Sequence, residues 1–195
     1  IEGCHIVGRV AFPLFCFLLT EGFVHTRRPV AYLRSLMTFA VLSEPFYDLA
    51  FAGTLLDMGQ QNVLFELSLG LLVLLVLQKC GASPVWTAAV TLAGAILAFT
   101  LRLDGGYYGI FLIVLFDRLR SHPRLRLGAA AVTMYLCGLD FSPSGFIDPY
   151  FLAAASALVW IAAYNGRRGR QRKYFFYAFY PAHLLILSAC AFCIV

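Results

Sequence analysis

The sequence predicts an all-α protein, a polytopic bundle of about eight transmembrane helices. The first observation is composition. Of 195 residues, 61% are hydrophobic and 13% charged, with a mean hydropathy of +0.81, whereas soluble domains hold roughly 45–50% apolar residues. A globule of this length has too little interior to hide so much apolar side chain, so lipid is its expected solvent. The second observation is that the apolar residues come in stretches parted by Gly, Pro or charge. The third is that basic residues gather in alternate gaps between those stretches.

The stretches fall at 6–24, 30–51, 62–78, 84–101, 106–117, 127–139, 149–164 and 174–195. HTRR (25–28) closes the first, and the second runs to a polar segment, 52–61, around Asp57. The third stops at Lys79, and Gly81 and Pro84 part it from the fourth. Arg102, Asp104 and Gly105 separate the fourth from the fifth, and DRLRSHPRLR (117–126) separates the fifth from the sixth. The segment 140–148, with Asp140 and Asp148, precedes the seventh, and NGRRGRQRK (165–173) precedes the last. Several stretches are shorter than the ~20 residues of a perpendicular span, so broken or re-entrant helices are expected among them.

If the first span runs from outside to inside, the inner segments hold Arg27, Arg28, Lys79, Arg118, Arg120, Arg124, Arg126, Arg167, Arg168, Arg170, Arg172 and Lys173. Arg9, Arg34 and Arg102 lie elsewhere, and the outer segments 52–61 and 140–148 carry Asp and neither Lys nor Arg. That is the positive-inside pattern, so the formal charge of +5 reports topology and excludes nucleic-acid binding as its explanation. Residue 1 then lies outside. The chain has no initiator Met, and a preceding helix belonging to a longer reading frame is expected. Cys4, Cys16, Cys80, Cys137, Cys190 and Cys193 sit mostly within apolar runs and are expected to pack as small hydrophobes, with no metal site.

Charges within the spans ask for a reason, because an intramembrane charge costs several kcal/mol unless it is paired or hydrated. In an antiparallel hairpin of the first two spans turning at 25–29, Glu21 comes level with Arg34, and Arg9 falls between Glu44 and Asp48. Two roles fit: ion pairs that hold the hairpin, or the lining of a polar, partly hydrated cavity. Pro45, after Glu44, adds a helix-breaking residue at the same depth. In the last span, Tyr174, Tyr177, Tyr180 and Pro181 lead to His183, a polar face on an otherwise apolar helix.

The blocks GRVAFPLFCFLLTEGFVHTRR, YLRSLMTFAVLSEPFYDLAF, QQNVLFELSLGLL, YNGRRG and KYFFYAFYPAHLLIL, in this order along nearly the whole chain, resemble the TraX family of bacterial membrane proteins. The resemblance implies a multi-pass protein of the bacterial inner membrane, associated with conjugative transfer and with acetylation of a pilin N-terminus. It implies acetyl-CoA as co-substrate, used at the cytoplasmic face, and pilin or another exported acceptor as partner beside the lipid bilayer. Family members usually begin with a further helix carrying an Asp-His pair, and that helix is absent from this sequence.

Acyl transfer needs a base for the acceptor proton, donors for the developing oxyanion and a hold on the acyl carrier. No Ser nucleophile elbow is present, so direct transfer assisted by His or carboxylate is the expected mechanism. His25, one turn beyond Glu21, and His183 are the candidate catalytic groups with Glu21 itself. Arg9, Arg34, Glu44, Asp48, Asn62, Tyr177 and Tyr180 are the candidate cavity residues. Arg27, Arg28, Asn165, Arg167, Arg168 and Lys173 are expected to meet the phosphates of coenzyme A, although such cations also serve topology and lipid headgroups. A small transporter or channel, or a non-catalytic accessory protein of a conjugation or secretion machine, accounts for the same charges.

Overall fold

The computed structural model describes residues 2–81, 83–138, 149–166 and 178–186. The helices are α1 (Glu2–His25), α2 (Pro29–Phe51), α3 (Val63–Cys80), α4 (Pro84–Thr100), α5 (Gly106–Arg118), α6 (Pro123–Gly138) and α7 (Pro149–Ala163). Residues 178–186 form a further helical segment, α8. Four of these open on proline, whose ring presets a helical φ and whose missing N–H is no loss in the first turn. α3 instead starts on Asn62, whose Oδ1 accepts from the Leu64 N–H at 2.9 Å. It ends at Gly81, where φ is +80°.

The described helices match the expected stretches to within about a turn. Among the described residues the fold is all-α, and the backbone pairing between Gln61 and Leu103 is an isolated bridge. α1 and α2 run unbroken through Pro13 and Pro45, against the expectation of interrupted helices. One helix, Val63–Cys80, is long and apolar enough by itself to cross a membrane, while Pro84–Thr100 and Tyr150–Ala163 are apolar but shorter.

α5 is the centre of the bundle, packed on α1, α3, α4 and α6, and its Ile110, Leu112, Ile113 and Phe116 are buried with Leu71, Leu74 and Leu77 of α3. α1 lies along α7, α5 and α3, and α2 lies along α3. The expected α1–α2 hairpin is thereby corrected: the two helices approach at their turn, where Tyr32 sits against Gly22, and then diverge. The reason is packing: α1 buries its apolar face against α7 and α5 and α2 against α3, and burial there outweighs chain adjacency.

Several helices expose large apolar side chains. Val41 and Leu42 of α2, Trp86, Ile96 and Phe99 of α4, Val132 of α6, and Val159 and Trp160 of α7 are exposed, whereas Asp48, Asn62 and Glu66 are buried. Isolated exposed apolar residues are ordinary, but bands of them on successive helices around a core that holds a few buried polar groups suit an apolar surrounding.

Candidate functional site

The connections sort into two ends. Arg120, in the α5–α6 connection, lies 4.0 Å from Glu21 near the C-terminus of α1. At the opposite end Gln61 N–H donates to Arg102 O at 3.0 Å, Asp104 N–H donates to Gln61 O at 3.0 Å, and Gln60 Nε2 donates to Asp104 Oδ1 at 2.9 Å. These contacts clamp the α2–α3 loop to the α4–α5 turn. One end carries Arg27, Arg28, Lys79, Arg118, Arg120, Arg124 and Arg126, and the other Glu44, Asp48, Asp57, Glu66 and Asp104 beside Arg9 and Arg102. Between Pro29 and Tyr47, α2 separates them by roughly 25 Å at 1.5 Å per residue.

At the basic end, Glu21 is 12% exposed and lies 4.0 Å from both His25 Nδ1 and Arg120 Nε. His25, 41% exposed, donates from Nδ1 to the Glu21 carbonyl at 2.8 Å, because a carbonyl oxygen only accepts. Nε2 of the neutral ring is then the free basic nitrogen. Arg27 and Arg28 are exposed nearby. Deeper, the Arg126 guanidinium stands 5.0 Å from the centre of the Phe17 ring, and its Nε is buried without a hydrogen-bond partner. Arg34 is exposed on α2, and Glu21 has Arg120 in its place. That corrects the expected Arg34–Glu21 pair: once α2 turns onto α3, the α5–α6 connection is the nearer source of a cation.

The acidic end is built around Asn62. Its backbone N–H donates to Glu44 Oε2 at 3.3 Å, its Nδ2 donates to Ala40 O at 2.9 Å and also to Glu44 Oε2, and its Oδ1 caps α3. Asp48, 2% exposed, accepts from the Asp57 N–H at 2.9 Å. Tyr180 of α8 lies near the start of α3 at Val63 and within Coulombic reach of Asp104, Tyr47 and Glu44. One turn on, His183 packs its ring 5.3 Å from that of Tyr180 and donates from Nδ1 to Phe179 O at 3.1 Å. A cleft of about 260 Å³ opens here, lined by Tyr47, Asp48, Phe51, Asp57 and Gln60 among others.

Two carboxyl groups at this end are poorly matched. Glu66 is fully buried, neither carboxyl oxygen has a hydrogen-bond partner, and its side chain rests against Gly105, Gly109 and Phe12. A Cβ at Gly109 would collide with it, so glycine there makes the room that Glu66 occupies. Glu44 Oε1 is likewise buried and unpartnered. Arg9 is exposed, 5.9 Å over the Tyr150 ring and within Coulombic reach of Asp104 and Tyr108. Among the described residues no ion pair joins it to Glu44 or Asp48, which corrects the pairing expected from hairpin depth. α1 follows α7 and α5, and so brings Arg9 to Tyr150 and the α4–α5 turn.

Glu44, Asp48, Asn62 and Tyr180 are therefore brought together, with Arg9 at the rim, while Arg34 stands apart. His25 and His183 are at opposite ends and do not share one centre. Asn165 follows α7 and is exposed. Tyr177, Arg167, Arg168 and Lys173, and the loop 140–148, lie outside the described residues. Sequence reasoning passed over Glu66, Asp104, Tyr47, Arg120 and Arg126. Glu66 had a signal, a lone carboxylate in an otherwise apolar run; the others are identified only by what they touch.

The family model described as TraX protein matches residues 1–190. A protein of Dichelobacter nodosus named "Probable fimbrial assembly protein FimC, serogroup H1" is 31% identical over 212 residues, an alignment covering 96% of this chain and 82% of the relative. No solved structure matches the chain.

Proposed function

The chain belongs to the TraX family, and from that premise we propose that it is a multi-pass inner-membrane acyltransferase of pilus or fimbrial assembly. In this reading it moves an acetyl group from acetyl-CoA to an exported acceptor such as a pilin N-terminus. The observation that carries the proposal is the segregation of charge along the bundle, with most of the described cations at one end, where Glu21 and Asp117 pair with them, and most of the carboxyl groups at the other, beside Arg9 and Arg102. An anionic donor made in the cytoplasm suits the basic end, and the apolar outer bands suit lipid between the two ends.

Arg27 and Arg28 at the basic end meet the donor phosphates, and Asn165 adds a neutral donor. Arg167, Arg168 and Lys173 are assigned to the same phosphates from the sequence alone. The thioester rides on a long flexible arm, so the phosphates and the acetyl carbon occupy different depths. At the reacting end the acceptor nitrogen or oxygen attacks the acetyl carbon, the C–S bond breaks, and coenzyme A leaves as a thiol. The acceptor proton passes to a base. His183 is the base assigned here, because its Nδ1–H is held by the Phe179 carbonyl and Nε2 keeps its lone pair. His25 and Glu21 serve the donor side.

Purified protein in proteoliposomes, supplied with radiolabelled acetyl-CoA and an N-terminally free acceptor peptide, tests this. Label should pass to the peptide; His183→Ala should lower kcat by ~10²-fold or more, and Arg27→Ala should mainly raise the KM for acetyl-CoA. His25→Ala should fall with Arg27→Ala rather than with His183→Ala. No label transfer by the family's full-length protein overturns the enzymatic reading in favour of an accessory role, and liposome ion flux in its place favours a transporter.

A further inference from the structure

We propose that the α2–α3 connection is a lipid-binding wedge, which sets Leu55 and Leu56 into the outer leaflet of the bilayer beside the cleft. The inference rests on the multi-pass reading above and extends the lipid-facing surface from the helices to a loop.

The connection is built to keep its polar groups and present its apolar ones. Leu55, Leu56 and Met58 stand 64–89% exposed. Gly53, at a φ of +69°, turns the chain out of α2, and Gly59 leaves room for Asp57, because a Cβ there would lie 2.7 Å from Asp57 Oδ2. The Asp57 N–H donates to Asp48, Gln60 Nε2 donates to Asp104, and the Gln61 backbone bonds to Arg102 and Asp104. Asp57 is the one charged residue of 52–61, and it lines the cleft together with Asp48. The loop is therefore tied down through its polar groups, while three large apolar side chains within four positions are left without cover. Such a patch, rimmed by satisfied polar groups, marks a surface that meets something apolar.

Position selects lipid as that surface. α2 is an edge helix, packed along α3, with Val30, Met37, Val41 and Leu42 exposed along its length. Its 23 residues measure about 34 Å at 1.5 Å per residue, slightly more than the ~30 Å hydrocarbon core. The chain leaving Phe51 thus emerges at the outer boundary of the core and at the periphery of the bundle. Apolar side chains at that level, sunk ~5–10 Å into the junction of headgroups and acyl chains, gain free energy in proportion to the area they bury. The headgroup layer is wet, so water-borne reagents still reach the rim at Met58. Because the same loop is clamped to the α4–α5 turn, the wedge also holds the cleft at the level of the headgroups, and whatever enters the cleft approaches along the membrane surface.

The test places an environment-sensitive NBD fluorophore on the full-length, otherwise cysteine-free protein in phosphatidylcholine nanodiscs. The label is carried at Leu56→Cys, at Val41→Cys on α2, or at Arg124→Cys at the basic end. Each sample is read for emission wavelength and for quenching by lipids bearing a nitroxide near the headgroup or near the end of the acyl chain. The Leu56 probe should emit blue-shifted and be quenched severalfold more by the shallow nitroxide than by the deep one. The Val41 probe should prefer the deep nitroxide, and the Arg124 probe should emit as in water. Leu55→Gln with Met58→Gln, two exposed positions that the fold tolerates, should return the Leu56 probe to water-like emission. Water-like emission at Leu56 beside a lipid-quenched Val41 probe overturns the wedge and spares the membrane reading; absence of lipid quenching at both overturns the two together. Blue-shifted emission at Leu56 that neither nitroxide quenches means that protein covers the loop, and overturns lipid as its occupant. A Leu56 probe still in lipid after both neighbours are made polar shows that the label inserts by itself, which overturns the wedge as well.

Discussion

Removing the Asn62 side chain should cost more than removal of any ordinary buried amide, because all of its hydrogen-bonding groups are engaged. Asn62→Ala deletes the α3 cap, worth about 1 kcal/mol. It also deletes the Nδ2 donor to Ala40 O and to Glu44 Oε2, and stranding buried acceptors costs about 1–3 kcal/mol. Water reaching the cleft lowers that second figure, so about 3 kcal/mol is the expected total. Asn62→Asp separates the two contributions: it keeps the Oδ1 cap but turns an acceptor toward Glu44 and Ala40 O, and should be at least as damaging as alanine. For a chain of this size, 3 kcal/mol corresponds to a fall of roughly 6–12 °C in Tm. Thermal melts followed by circular dichroism in one detergent read it directly. Adding Glu44→Gln closes a double-mutant cycle, with a coupling above about 0.5 kcal/mol expected for groups in contact. An Asn62→Ala protein that melts with the parent, or a cycle without coupling, would refute the network.

In a cysteine-free background, Met58→Cys should be modified by an impermeant maleimide added to intact spheroplasts, and Arg124→Cys should be spared; the opposite pattern reverses the orientation. Arg120→Ala should destabilise the protein by under about 1 kcal/mol, since its partner is distant and it is itself part-exposed, whereas Arg34→Ala should not change the melt at all. A larger effect at Arg34 would restore the pairing expected from the hairpin. Gly109→Val should cost about 1–3 kcal/mol, because the added carbons displace Phe12 and the Glu66 side chain. If it melts like the parent, Glu66 has room to move and is not held against α5.

The positions of the helices were legible in the sequence because their causes are local. Pro29, Pro84, Pro123 and Pro149 each start a helix by the geometry of their own ring, and the apolar stretches between them are long enough to persist as helices. The alternation of basic and acidic connections was legible for a similar reason, since charge is a property of each connection alone. Partners were not legible in this way. Chain adjacency predicted that α1 pairs with α2 and Arg9 with Glu44 or Asp48, but neighbours in a bundle are chosen by which apolar faces fit, and α1 settles on α7 and α5. That choice, made over the whole interface, sent Arg9 to Tyr150, gave Glu21 to Arg120, and enclosed Glu66 against two glycines of the α4–α5 turn and α5. It also put His25 and His183 at opposite ends. The sequence by itself determined which residues would be costly in lipid; only the tertiary structure decided which of them meet, because meeting depends on the packing of surfaces far from either charge.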